Sequence, residues 1–456
     1  MLTTLTKVPM LIALCVLSAA AVHAQQPVLD GYIQQAFANN KGLQEQHFQL
    51  EKSMLALQQA KSLYGPNVAL LASYNASKGG RSIDLPLGDL LNNAYSTLND
   101  LTGSKQFPQL QNQRFQLNPE NFYDTKLRTT LPLLDAEIYY NKKIRQEQLS
   151  QQEAAVNVYK RALVKDIKLA YYQYYQASQA VNIHENALQL IKENIRVNES
   201  LVKNGTRNNT AVYRSNTEMQ KIAADINRAV NERENAKAYF NFLLNRQLTD
   251  SITMEAATVK AELQPVLQTA AIKQREEILQ VNKATNALML NEKMQRSYLL
   301  PKVNTFLDLG SQSEGFKFND QSRYYFWGVN LQWNLFANRG NQHKIKSAAI
   351  DVQSVRTQAA QLEESLQLQL RQALNNYNTA VLNYRAAGEQ LAFAKRYYRD
   401  QQIVYREGQL LYIELLDAQN QLTQAQLQLA ISEAALQTAA AIVEREQAAY
   451  PLTTQN

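Results

Sequence analysis

Two long segments of the chain carry a helical pattern. Apolar or small side chains recur alternately every four and three residues from Leu163 to Val202, which makes a heptad seam along one side of a helix. The seam recurs 203 residues further on, from Leu366 to Tyr405, with five of its twelve positions identical. Gly205 and Gly408 follow the two seams at the same separation. The chain is therefore predicted to consist of two structural repeats.

Each repeat is predicted to run helix, strand, loop, strand, long helix, turn, helix. Residues 137–203 contain no glycine or proline, so they predict a helix of roughly 100 Å. Residues 340–406 predict a second helix of the same length, which begins at Gly340 and has one internal glycine, Gly388. Shorter helices are predicted over 30–63 and 209–245. These two shorter helices, stacked end to end, would together match one long helix.

Pro66 and Pro301 each end an incoming helix, and the residues around them, 60–68 and 295–303, resemble each other. Their separation exceeds that of the long helices, so the first repeat carries about 32 additional residues, within 78–121. Leu87 to Leu101 has a helical rhythm, and we expect this insertion to form an extracellular, partly helical cap.

The strands that precede the long helices alternate between two kinds of side chain. One face of each strand is apolar and aromatic, and the other is polar or charged. The first set is Tyr123, Thr125, Leu127, Thr129 and Leu131, and the last set is Tyr325, Trp327, Val329, Leu331, Trp333 and Leu335. Strands of ~10 residues suit a membrane barrel, but the alternation alone is equally consistent with a half-buried sheet.

Composition narrows the class of protein. With only 14 glycines and 10 prolines in 456 residues, the chain favours long uninterrupted helices. After residue 24 no apolar run is long enough for a transmembrane helix, so entry into a membrane would require β-strands. The net charge of +7 is spread along the chain, without the basic-aromatic interleaving of a nucleic-acid surface.

Residues 1–24 are predicted to be a secretory signal peptide. A positive start at Lys7 precedes an apolar core, and Val22-His23-Ala24 offers a cleavage site before Gln25. The single cysteine, Cys15, lies inside this segment, so the mature chain is expected to hold no disulfide or cysteine metal site. The three other histidines, His47, His184 and His343, are far apart in sequence and are interpreted as packing or pore-lining residues. We find no catalytic motif and predict no enzyme, cofactor or metal.

The residues around the second glycine resemble a known family. The stretch from Tyr405 to Gln419, Y-x-x-G followed by an acidic-x-x-acidic pair, is similar to the second periplasmic turn of TolC-like outer-membrane efflux proteins. The first turn keeps Gly205 but has Ala211 and Arg214 in place of the acidic pair. An arginine found in the family two residues after the second glycine is Leu410 here, which puts a gate-locking salt bridge from that position in doubt.

This resemblance implies a mainly α-helical chain that contributes four strands to a trimeric membrane β-barrel, continued by a periplasmic coiled-coil tube. The predicted organisation is a first repeat over 25–255, with the insertion 78–121, a second repeat over 256–449, and a tail over 450–456. The resemblance implies an exit duct in the outer membrane of a Gram-negative bacterium. It also implies partnership with a periplasmic adaptor (membrane fusion protein) and an inner-membrane pump of the RND or ABC type, with no nucleic acid.

Three groups of site residues follow from the resemblance. Glu414 and Asp417 are expected at the periplasmic gate, although acidic side chains near a helix N-terminus also offset its dipole. Gly205, Thr206, Gly408 and Gln409 are expected to dock the adaptor. Tyr123, Tyr325, Trp327 and Trp333 are expected to form a lipid-facing aromatic girdle. The alternative function is a periplasmic coiled-coil structural or adaptor protein. An adaptor usually has one helical hairpin and a β-rich remainder instead of two matching halves that each contain a pair of strands.

Overall fold

The computed structural model describes residues 27–118, 120–254 and 275–452. The predicted signal peptide, the boundary between the two repeats and the last four residues of the tail lie outside these ranges. The described chain divides into two compact units. A helical unit holds residues 27–53, 149–254, 275–284 and 354–452, and the other unit, with the described residues of 54–148 and 285–353, contains all the strands of the described chain.

Helices dominate the chain, and their bounds are as follows. They are α1 Pro27–Asn39, α2 Lys41–Ser62, α3 Leu87–Thr102, α4 Ala136–Lys203, α5 Thr210–Leu243, α6 Glu276–Arg296, α7 Gly340–Arg406 and α8 Tyr412–Glu446. A short 3₁₀ turn, Ser297–Leu299, precedes Pro301 and the strand that follows it. The long helices α4 and α7 have 68 and 67 residues, which confirms the predicted lengths.

The predicted first helix over 30–63 is divided in two at Asn40. The Asn40 side-chain oxygen accepts a hydrogen bond from the Leu43 N–H at 2.9 Å, as an N-terminal cap of α2 does. Its side-chain nitrogen donates to the Leu243 carbonyl at 2.8 Å. The break therefore depends on a contact with the distant end of α5, which the local apolar pattern does not contain.

The strands are β1 Asn67–Asn75, β2 Ser82–Leu85, β3 Gln113–Gln116, β4 Phe122–Leu134, β5 Lys302–Glu314 and β6 Arg323–Gln332. Strands β1, β4, β5 and β6 form an antiparallel sheet in the order β1-β4-β5-β6, so β1 and β6 are its edges. The predicted last strand is shorter than expected, because β6 ends at Gln332 and both Trp333 and Leu335 lie beyond it.

The insertion between β1 and β4 has structure of its own. Strands β2 and β3 pair with each other, and α3 lies between them in sequence, where the helical rhythm predicted it. Asn92 exchanges two hydrogen bonds with the backbone of Leu110, and Asn99 does the same with Phe107. Two asparagines one heptad apart thus bind the segment from Phe107 to Leu110 to α3.

Buried apolar side chains of the helical unit form three clusters. One joins α1, α4, α5 and α8 around Ile33, Ile167 and Phe240. A second joins the ends of α4 and α7 to the starts of α5 and α8 around Ile191, Tyr405 and Leu415, and a third packs α7 against α8. The first and second clusters include seam positions of α4, and the second and third include those of α7, as the heptad pattern predicted.

Candidate functional site

The turns after the two long helices share one geometry. Gly205 and Gly408 have φ values of 76° and 81°, a region that favours glycine because it lacks a Cβ atom. After α4, Gly205 N–H donates to Val202 and Thr206 N–H to Leu201, at 2.9 and 3.0 Å. After α7, Gly408 N–H and Gln409 N–H make the equivalent bonds at 3.0 and 3.2 Å. Both turns are therefore Schellman C-caps, and both are exposed.

Arg207 connects the two turns. One guanidinium nitrogen, Nη2, lies 2.5 Å from the Leu410 carbonyl oxygen and 3.3 Å from that of Gly408. The guanidinium carbon lies 5.3 Å from the centre of the Tyr405 ring, within cation-π range. The position two residues after the second glycine is Leu410 and not an arginine. The arginine stands instead two residues after the first glycine, and that symmetric position is the signal that the sequence offers for it.

A buried polar chain lies beneath the turns. The Tyr405 hydroxyl donates to the side-chain oxygen of Asn198, whose amide donates to Ser215 Oγ at 2.8 Å. Ser215 in turn donates to the Ala211 carbonyl at 2.8 Å. All three side chains are almost fully buried, and burial raises the pKa of Tyr405. Because these groups are withdrawn from water, their mutual hydrogen bonds fix the ends of α4 and α7 against α5.

Glu414 and Asp417 lie one turn apart at the start of α8, and both are exposed. The Glu414 carboxylate accepts a hydrogen bond from the Leu411 N–H at 3.3 Å, which supports its role at the helix N-terminus. The Asp417 carboxylate accepts one from the Gln421 side chain at 2.7 Å. Within the described part of the chain, no cationic side chain forms an ion pair with either carboxylate. Their role in a gate stays a prediction.

The register of the four-stranded sheet places side chains of one kind on each face. Leu127 lies opposite both Leu70 and Leu309, and Leu309 lies opposite Tyr325, so the predicted apolar sets share one face. Arg128 lies opposite Asp308 on the other face. We call these the apolar face and the polar face. In the described chain most of the large side chains on the apolar face are exposed.

The four predicted girdle residues do not all lie on the surface. Tyr325, Trp327 and Trp333 are 78%, 64% and 53% exposed. Tyr123 is only 3% exposed, which corrects the prediction that its ring faces lipid. Phe316 and Phe318 of the β5–β6 connection lie against it, with ring centroids 5.7 and 4.6 Å away. The tyrosine hydroxyl lies 2.8 Å from Ser311 Oγ and donates to the Lys317 carbonyl at 3.0 Å.

His184 lies beside a small cavity in the helical unit, which has a volume of about 190 Å³. Asp225, Arg228 and Glu232 of α5 line the same cavity. Burial lowers the pKa of His184, so the imidazole is neutral near pH 7. Among the described residues no group of three His, Cys, Asp or Glu side chains could hold a metal ion. In the same part of the chain, no helix has both the length and the apolar character that crossing a membrane demands.

Comparison with solved structures shows which known proteins share this fold. The outer-membrane channel OprN matches with a TM-score of 0.76 at 18% identity, covering 92% of this chain and 90% of its own. The Campylobacter jejuni CmeC channel matches with a TM-score of 0.72 at 14% identity over 92% and 85% of the two chains. The open Neisseria gonorrhoeae MtrE channel matches with 0.72 at 16% over 92% and 89%. The chain has the fold of these outer-membrane channels.

The family model of outer membrane efflux proteins matches residues 267–445. This match and the shared fold confirm the resemblance to TolC-like outer-membrane efflux proteins. No curated protein sequence matches the chain.

Proposed function

We propose that this protein is the outer-membrane exit duct of a tripartite efflux or type I secretion system. Three copies would form one channel that conducts substrates passively. The single observation that carries this proposal is the four-stranded sheet, with its exposed apolar face and its two unpaired edges, in a chain with the fold of outer-membrane channels.

The sheet supports a trimer for a physical reason. Four strands are too few to close a barrel, and an open edge leaves backbone N–H and C=O groups without partners. In a bilayer those groups have no water to bind, so the edges β1 and β6 must pair with other copies. Three copies would supply twelve strands, with the apolar face toward lipid and the polar face toward the duct.

The two Schellman turns form the proposed docking surface for a periplasmic adaptor. Thr206 and Gln409 are exposed at corresponding positions, and Arg207 holds the two turns together. A partner could therefore contact both turns as one preformed surface. The adaptor would connect the duct to an inner-membrane pump of the RND or ABC type, which supplies the energy. Pull-down from solubilised envelopes should recover the adaptor with wild type and less of it with variants at Gly205 and Gly408.

The exposed carboxylates of Glu414 and Asp417 are the proposed gate. In a trimer with these helix starts around the mouth, six carboxylates would surround the path of the substrate. None of the six would be neutralised by a cation of the described chain, so they would favour cations over anions.

The insertion with α3 is proposed to lie outside the cell, since long connections of such barrels are extracellular. Gly103 ends α3 with a φ of 61° and has open space around it, so a short tag inserted there should be tolerated. We expect the tag to be labelled on intact cells. Labelling only from the periplasmic side would reverse the proposed topology.

Planar-bilayer recording of the purified protein, beside its mass in detergent, tests the proposal. We expect discrete channel openings from a trimer. A monomer without channel activity would instead favour the alternative, a periplasmic coiled-coil adaptor or structural protein.

A further inference from the structure

The middle of the polar face holds two ion pairs. Arg128 of β4 donates from Nε and Nη2 to the two carboxylate oxygens of Asp308 on β5, at 2.7 and 2.6 Å. Lys126 Nζ donates to Asp124 at 2.7 Å, and both lie on β4 two residues apart. Two cations and two anions thus occupy one patch, and their formal charges cancel.

An aromatic ring supports each pair. The Phe306 ring lies 5.2 Å from the Arg128 guanidinium carbon and 5.5 Å from the Phe326 ring. The Tyr324 hydroxyl donates to the second oxygen of Asp124 at 2.7 Å. Each carboxylate therefore receives two hydrogen bonds, and Asp308 is only 2% exposed although it lies on one face of a single sheet.

Two glycines make room for these rings. A Cβ atom at Gly328 would lie 2.8 Å from the Phe306 ring. A Cβ atom at Gly310 would lie 2.8 Å from the Tyr324 ring and 2.9 Å from Lys126 Cβ. All three distances are shorter than carbon atoms tolerate, so any other residue would displace the ring that supports an ion pair. Each glycine therefore leaves the space that its neighbouring ring occupies beside the pair.

We propose that Asp308 and Asp124 are charge-balancing residues that keep this stretch of the duct without net charge. This inference rests on the proposed function, in which the polar face lines the channel. Arg128 and Lys126 would otherwise place two positive charges per chain, six per trimer, along the path of the substrate. The pairing leaves the selection of ions to charges elsewhere in the duct.

Reversal potentials across a salt gradient test the proposal, with salt near 0.1 M so that screening extends only about 10 Å. Asp308→Asn leaves Arg128 without its partner, and we expect the cation-to-anion permeability ratio to fall on the order of twofold. The double variant Arg128→Gln, Asp308→Asn removes both charges and should return the ratio to the wild-type value. Asp124→Asn and its double variant with Lys126→Gln repeat the design at the second pair, in case Asp308→Asn does not fold.

Asp320→Asn is the matched control. Asp320 is 96% exposed in the β5–β6 connection and pairs with Arg323 at 3.4 Å, so the substitution makes the same formal change of charge in open water. We expect a smaller shift from it. An unchanged ratio in folded Asp308→Asn and Asp124→Asn channels would overturn the proposal, as would an equal shift in the control. Wild-type protein that forms no channel would instead contradict the proposed function.

Discussion

Carboxylates on the polar face of the sheet and carboxylates at the start of α8 differ in their exposure and in their hydrogen-bond partners. Asp308 is covered by side chains, and each of its two carboxylate oxygens accepts a hydrogen bond from Arg128. Glu414 and Asp417 are exposed, and within the described residues they accept hydrogen bonds only from neutral groups. Water solvates an exposed carboxylate without help, whereas a covered one needs a cation or several donors. The comparison teaches that the carboxylates at the turn lack a cationic partner in the described chain, whereas Asp124 and Asp308 on the polar face of the sheet are paired with cations.

The same rule applies to the uncharged groups beneath the turns. Asn198, Ser215 and Tyr405 are buried, and each forms a hydrogen bond with another member of the buried polar chain. Burial also raises the pKa of Tyr412, the first residue of α8, to about 12, so its hydroxyl is neutral at physiological pH. The Tyr412 hydroxyl is an exception, because it is buried and has no hydrogen-bond partner among the described residues.

Replacing Arg128 is the strongest test of this difference. Arg128→Met keeps the cover over Asp308 but removes its cation, so we expect a loss of about 2 kcal/mol in the free energy of unfolding. The figure is modest because one layer of side chains covers the carboxylate. Urea unfolding in detergent measures it. Arg323→Met is the control, since its pair is almost fully exposed and should contribute less than about 1 kcal/mol. Equal losses of unfolding free energy in the two variants would mean that covering an ion pair with side chains does not change its contribution to stability.

Asn198→Ala extends the test to the buried polar chain. It leaves Tyr405 and Ser215 without a shared partner, and we expect a loss of about 2 kcal/mol in the free energy of unfolding. Asn204→Ala removes an exposed amide at the end of the same turn and should change stability by less than about 0.5 kcal/mol. Thermal unfolding followed by circular dichroism compares the two. A loss no larger than that of the control would show that the buried polar chain of Tyr405, Asn198 and Ser215 contributes nothing to stability.

Gly408→Ala tests the geometry of the turn itself. A Cβ atom at φ 81° is strained, so we expect a loss of about 1 kcal/mol in the free energy of unfolding. Gly388→Ala is the opposite case, because Gly388 lies inside α7 with open space around it. That substitution should stabilise the helix by up to about 1 kcal/mol. Shifts of the same sign in the two melting curves would contradict the assignment of Gly408 as a cap.

Glu414→Gln together with Asp417→Asn should change stability least. The helix-dipole contribution of exposed acids is about 0.3–1 kcal/mol, so the double variant should fold as a trimer. Single-channel recording should show reduced cation selectivity and weaker block by multivalent cations. Glu407→Gln, exposed at the end of α7, controls for loss of any acid near the turn. Unchanged selectivity and block in the double variant would leave Glu414 and Asp417 only their role at the helix start.

Several features of this chain were determined by the sequence alone. The absence of glycine and proline over 137–203 set the length of α4, and the glycine after each seam set each Schellman turn. The alternation of β4 and β6 separated the apolar from the polar face. These features depend on residues close together in the chain, whose spacing directly gives the period of a helix or strand.

The tertiary structure decided which distant groups meet. Arg128 and Asp308 are 180 residues apart, and only the β4–β5 register makes them neighbours. The cover over Tyr123 came from Phe316 and Phe318, and the break at Asn40 from the end of α5. Arg207 reached across to the second turn because α4 and α7 end side by side. Such contacts depend on how segments far apart in the chain are packed, and a local pattern carries no record of that packing.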